Sequence, residues 1–123
     1  MTAGADRLRV SAVSLDCADH AALATFYAEL FAGTVLWSHD HASAVDVGGL
    51  VLVAQGVEDH REPTWPDHSI VHLDVTVGAD DLDAQTERAR GLGARLADPQ
   101  PDPRWRVLLD PAGHPFCLTP FSP

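Results

Sequence analysis

Residues 69–93 read SIVHLDVTVGADDLDAQTERARGLG, and residues 9–33 read RVSAVSLDCADHAALATFYAELFAG. Both open on alternating apolar and polar residues, pass through an acidic residue suited to a helix N-cap, continue at helical spacing, and end on a glycine. A shift of sixty pairs Val13 with Leu73, Leu15 with Val75, Gly33 with Gly93 and Leu36 with Leu96. One strand-helix unit is therefore written twice.

Working outward, the first helix carries Ala22, Leu23, Phe26, Tyr27, Leu30 and Phe31 at three- and four-residue spacing, with Asp19 as its N-cap and Gly33 as its left-handed C-cap. Strand candidates follow at Thr34–His39, Ala42–Val47 and Leu50–Gln55, the last two joined through Gly48-Gly49. After the second helix, ARLADPQ, RWRVLLD and HPFCLTP are strand candidates again. These later strands need a shift of sixty-four, which pairs Asp46 with Asp110 and Gly49 with Gly113 in a shared D-x-x-G turn. The chain is expected to be α+β, with two βαβββ modules in tandem. Module one covers about 7–56, the polar segment GVEDHREPTWPDH gives a linker over 57–68, and module two covers about 69–120.

With 123 residues the chain fits a single domain that buries roughly two thirds of its unfolded surface. Cys17 and Cys117 fit no CxxC spacing and read as free, buried thiols. Every basic residue is an arginine and the formal charge is −10, which disfavours nucleic acid as a partner. The start MTAGADRLRV lacks a signal-peptide core and no run approaches membrane-spanning length, so a soluble, cytoplasmic protein without a membrane partner is expected.

Alternation along SIVHLDVTV places Val71, Leu73, Val75 and Val77 on one face and His72, Asp74 and Thr76 on the other. In the first copy Val13 and Leu15 face the helix, with Ala12, Ser14 and Asp16 opposite. In the closing strand Phe116 and Leu118 face inward, leaving Cys117 and Thr119 on the helix-free face, where Val53 and Gln55 occupy the corresponding places of module one. If the two sheets join, His72, Asp74, Cys117, Gln55, Ser14 and Asp16 line one concavity, a candidate ligand pocket.

The segments LDCADHAALATFYAELFAG, HLDVTVGADDLDAQTERARGLGA and LLDPAGHPFCL resemble the glyoxalase/bleomycin-resistance family of the vicinal oxygen chelate superfamily. The resemblance is carried by F-Y in the first helix, H-x-D-x-x-V in the fifth strand and D-P-x-G-x-P-F in the last. The P-T-W-P loop is similar to that of a glyoxalase-like subgroup. It implies a curved mixed sheet around a cavity, a homodimer, and in many members one divalent metal held from the first and last strands of each module. Those places fall at Ala12, His72, Cys117 and either Val53 or Gln55, so the implied metal set is His72, Cys117 and Gln55, with Ala12 unable to coordinate and Cys117 standing where a carboxylate is expected.

His72 is the candidate catalytic residue, a general base if no metal binds, or else a histidine satisfied by Asp74 or a backbone carbonyl. Cys117 is a nucleophile only if His72 lies within hydrogen-bond reach; its apolar neighbours suit an inert thiol. Gln55, Asp74, Cys117, Trp37, Trp65 and Trp105 are the candidate substrate-binding residues. The tryptophans offer flat area for stacking, with Trp65 in a loop that would close over the cavity, and each serves equally as core or dimer contact. Of the remaining histidines, His20, His39, His41, His60, His68 and His114, the pair His39 and His41 has an i,i+2 spacing that could chelate on one strand face, but its position beside a turn makes solvent exposure the expectation.

Three functions follow as expectations. The first is a protein binding a small apolar or aromatic ligand without a complete metal site. The second is a metal-dependent lyase, isomerase or dioxygenase. The third is a non-catalytic structural or regulatory dimer module.

Overall fold

The computed structural model describes residues 9–67 and 71–121. The expectations for Leu8 and the residues before it, and for His68, Ser69 and Ile70, lie outside the described residues.

Among the described residues ten elements follow in the anticipated order: β1 (Val13–Cys17), α1 (His20–Phe31), β2 (Thr34–Ser38), β3 (Ala42–Asp46), β4 (Val51–Gly56), β5 (Leu73–Thr76), α2 (Leu82–Leu92), β6 (Arg95–Leu96), β7 (Arg106–Leu109) and β8 (Pro115–Thr119). They form two four-stranded mixed sheets with the same order, β1-β4-β3-β2 and β5-β8-β7-β6. In each, the first strand runs parallel to the last, Ser14 opposite Val53 and Asp74 opposite Cys117. That correspondence bears out the shift of sixty-four for the closing strands.

The shared D-x-x-G turn is also real. Asp46 Oδ1 accepts from the Gly49 amide at 2.9 Å, while Asp110 Oδ1 accepts from the amides of Ala112 at 2.8 Å and His114 at 3.0 Å. Gly49 and Gly113 sit at φ 95° and 91°, a left-handed geometry that a side chain resists.

The N-cap is as expected, with Asp19 accepting from the Ala22 amide at 3.1 Å. The C-cap is not. Ala32, at φ 50°, takes the left-handed position, and Gly33 is needed for a different reason, because a Cβ there would run into the Asp46 carbonyl oxygen. Only α2 ends as read, on Gly93 at φ 121°.

β6 is far shorter than ARLADPQ suggested, because three prolines after Asp98 cannot donate to a ladder. The Gln100 carboxamide replaces the missing strand: its Nε2 donates to the Ala97 and Val107 carbonyls at 2.7 Å each, and its Oε1 accepts from the Val107 amide at 2.9 Å.

One apolar core joins the modules. Leu23, Phe26, Tyr27 and Leu30 of α1 meet Ala89 of α2, Leu52 and Val45 of sheet one, and Leu108, Phe116 and Leu118 of sheet two. Arg88 of α2 also donates to the Leu30 and Glu29 carbonyls at 2.9 and 2.6 Å, satisfying the open end of α1. Both sheets thus turn their apolar faces to the same helix pair, and their helix-free faces look away from that core.

The linker is tied to module two rather than loose. Glu62 pairs with Arg95 at 3.0 Å, His60 meets the Ala112 carbonyl at 2.9 Å, and Trp65 Nε1 donates to the Pro99 carbonyl at 2.8 Å.

Candidate functional site

Parallel pairing of β5 with β8 puts Asp74 beside Cys117 and Thr76 beside Thr119 on the helix-free face of sheet two. His72 precedes β5 on the same alternation, and its Nδ1 lies 3.2 Å from Asp74 Oδ1. These five residues, with Trp105 and Phe121, line an open cleft of about 500 Å³.

The aromatic wall is built by local sequence. Pro120 ends the strand, and the Phe121 amide donates back to Thr119 Oγ1 at 3.1 Å, turning the ring onto Trp105 with centroids 6.3 Å apart and planes at 84°. Arg104 lies over both rings, 5.3 Å from Trp105 and 5.7 Å from Phe121. Asp102 holds that guanidinium through Nε at 3.0 Å and Nη2 at 2.9 Å.

Cys117 forms the floor. It is 7 % exposed and packs with Ala97, Val107 and Leu109 beneath Trp65 and Trp105. Burial, and secondarily the Asp74 carboxylate, push its thiol up to about 11, so it stays protonated near neutrality. A protonated thiol is a poor nucleophile.

The expected set is therefore only partly assembled within one chain. His72, Asp74, Cys117 and Trp105 come together, and Trp65 packs against the Ala97, Val107 and Cys117 cluster without lining the cleft. Gln55 lies on sheet one, opposite Asp16 and Ala42, and Trp37 lies opposite Ala44 on the same sheet, its ring stacked on His39 at 5.0 Å. Ser14 and Asp16 share that face, so the concavity read from alternation is divided between two sheets that share a core but not a cavity. His39 and His41 are exposed in a second cleft at the β2–β3 turn.

Within one chain the expected ligand set for a divalent ion is not assembled. Among the described residues no three His, Cys, Asp or Glu groups come together as a ligand set. His72 supplies one nitrogen beyond the one facing Asp74, Cys117 is on the same sheet, and Gln55 is on the other sheet.

Two features escaped the sequence reading. Phe121 lies beyond the last strand, although the T-P-F order could have signalled a turn back. His20, given no role in the sequence reading, uses Nδ1 to meet Ser43 Oγ at 2.7 Å, which in turn lies 2.7 Å from Ser38 Oγ, a polar chain through the fully buried Ser43.

No helix among the described residues is long and apolar enough to cross a membrane. No curated protein matches the sequence. Among solved structures, the fosfomycin resistance protein FosX from Listeria monocytogenes, in a mutant complexed with Mn(II) and 1S,2S-dihydroxypropylphosphonic acid, is 20% identical with a TM-score of 0.74, covering 99% of this chain and 93% of that one. FosX from Mesorhizobium loti is 16% identical with a TM-score of 0.71, over 93% and 92% of the two chains. A glyoxalase-related enzyme from Fulvimarina pelagi is 22% identical with a TM-score of 0.69, over 89% and 86%. At these identities the likeness establishes the fold. The family model for the glyoxalase-like domain matches residues 12–119, from the residue before β1 to the last residue of β8. With the duplicated βαβββ architecture, this makes the chain a member of the glyoxalase-like domain family, within the vicinal oxygen chelate superfamily.

Proposed function

We propose that this protein binds a small apolar or aromatic molecule in the cleft of sheet two, without a complete metal site of its own. The observation that carries the reading is the pairing of an aromatic wall, Trp105 and Phe121, with the polar pair His72 and Asp74 across one open cleft. Stacking area beside a few convergent polar groups is the usual composition of a small-molecule site. His72 orients the ligand by hydrogen bonding, and Cys117 gives an apolar floor.

The protein acts as a homodimer in this reading. Val35, Leu36 and Trp37 on β2 and Leu96 on β6 are each at least 40% exposed, apolar area that a second copy would cover. β1 and β5 each have a strand neighbour on one side only, and a second copy's module one, bearing Gln55 and Trp37, would complete the half-open cleft.

Tryptophan fluorescence and thermal-shift titrations against planar aromatic compounds test the binding role. A stabilising ligand is expected, with its effect lost in Trp105→Ala; no stabilisation by any compound would overturn the reading. Light scattering on the eluting protein tests the dimer. Stoichiometric tight binding of Zn, Ni, Mn or Fe, abolished by His72→Ala, would overturn the absence of a complete metal site.

A further inference from the structure

The cleft has a sign. Among the described residues Asp74 is the only carboxylate lining it, its side chain is 65% exposed, and no arginine shares the lining. The nearest guanidinium, Arg104, stands over the aromatic wall with its charge taken up by Asp102 through two side-chain hydrogen bonds. Arg106 is likewise engaged, by Asp83 at 3.3 Å and by the Pro103 and Trp105 carbonyls, and Arg95 by Glu62.

The charged acceptor in the cleft is Asp74, beside the Thr76 and Thr119 hydroxyls, which can also donate. His72 Nδ1 lies 3.2 Å from Asp74 Oδ1, a contact that is attractive when Nδ1 carries a proton. In the neutral ring that leaves Nε2 as an acceptor, and Asp74 keeps its second oxygen. Thr119 Oγ1 already accepts from the Phe121 amide. The walls offer ring area for stacking, beside the Arg104 guanidinium that already lies over both rings.

We infer that the cleft selects planar ligands carrying a positively charged N–H group, an amidinium or an aminated heteroaromatic ring, and discriminates against carboxylates and phosphonates. This rests on the ligand-binding reading of the same cleft. A flat ring lies against Trp105 and Phe121, and its charged N–H edge donates to the free oxygen of Asp74 and to His72 Nε2. Closure by a second copy keeps the sign, because the helix-free face of module one adds another carboxylate, Asp16, beside the neutral Gln55. The exposure of Asp74 limits the gain, since water screens the pair.

The test uses three probes with one ring system and different charge: 2-naphthamidine, 2-naphthamide and 2-naphthoate. Each is titrated calorimetrically into the intact wild-type protein and into Asp74→Asn. The amidine is expected to bind about five- to tenfold more tightly than the amide, as befits a charge-assisted hydrogen bond in a partly solvated site, with the naphthoate weakest. In Asp74→Asn the amidine should lose its advantage and fall to the level at which the same variant binds the amide. Added salt should lower the amidine-to-amide ratio in the wild type, a measurement that needs no variant. Equal binding of all three probes, or tightest binding of the naphthoate, overturns the charge selectivity while leaving the ligand-binding reading standing. Failure of every probe to bind overturns both.

Discussion

Tyr27 Oη donates to Asp110 Oδ2 at 2.6 Å, and both side chains are almost wholly out of water. Tyr27 belongs to the helix of module one and Asp110 to the closing turn of module two, so this bond fastens one copy to the other. With two backbone amides on Oδ1, every contact made by the Asp110 carboxyl is a hydrogen bond accepted.

Tyr27→Phe should keep the packing of Phe26, Phe31 and Phe116 around the ring and remove only the donor. The cost is expected at about 1–3 kcal/mol, that of leaving a buried acceptor short of a partner. Urea unfolding with an unchanged m-value checks it.

Burial, the largest influence, raises the Asp110 carboxyl above its ordinary value of 3.8, against the lowering influence of Tyr27, His114 and the backbone amides. The sign follows: an acid with a raised folded-state pKa contributes stability that is fully present below its unfolded value and is lost as pH rises through the folded value. Asp110→Asn, which cannot ionise, should therefore gain on the wild type as pH rises from about 4 toward neutrality. Parallel unfolding curves across that range would show it, and a difference independent of pH would refute it.

Both thiols are pushed from 9.0 up to about 11, chiefly by burial. Their contribution to stability is intact below pH 9 and lost as pH rises toward 11. Alkylation of the folded protein by iodoacetamide at pH 8 should be slower than that of the urea-unfolded chain by about a hundredfold or more, reflecting the thiolate fraction and access together.

Two glycines should answer oppositely to alanine. Gly33→Ala drives a methyl group into the Asp46 carbonyl and is expected to cost about 1–3 kcal/mol. A Cβ at Gly91, within α2, meets nothing within 4 Å, so Gly91→Ala should stabilise by about 0.4–1 kcal/mol. Thermal unfolding of the two variants side by side measures both.

Much of this was legible from residue pattern. Alternation correctly turned Leu73, Val75, Phe116 and Leu118 inward and Asp74, Cys117 and Thr119 outward, because a strand leaves side chains only two directions. What alternation cannot encode is how one sheet is disposed to another. Gln55 and Cys117 hold equivalent faces in their own modules, yet the shared helical core keeps those faces apart. Val71 also strays, 65% exposed before the first paired residue of β5, because periodicity extends past the point where pairing starts. The C-cap at Ala32 was illegible for a similar reason: the demand for glycine at residue 33 comes from β3, distant in sequence.

Arg88 reaching across to the carbonyls of Leu30 and Glu29 has a consequence for the chain's history. A unit that duplicates begins as something able to stand alone or pair with its twin. Here the last turn of the first helix depends on a guanidinium supplied by the second unit, and the second unit's closing turn depends on a tyrosine supplied by the first. The copies have become mutually obligate, so a cut in the linker between them would yield two fragments, each lacking groups that only the other provides.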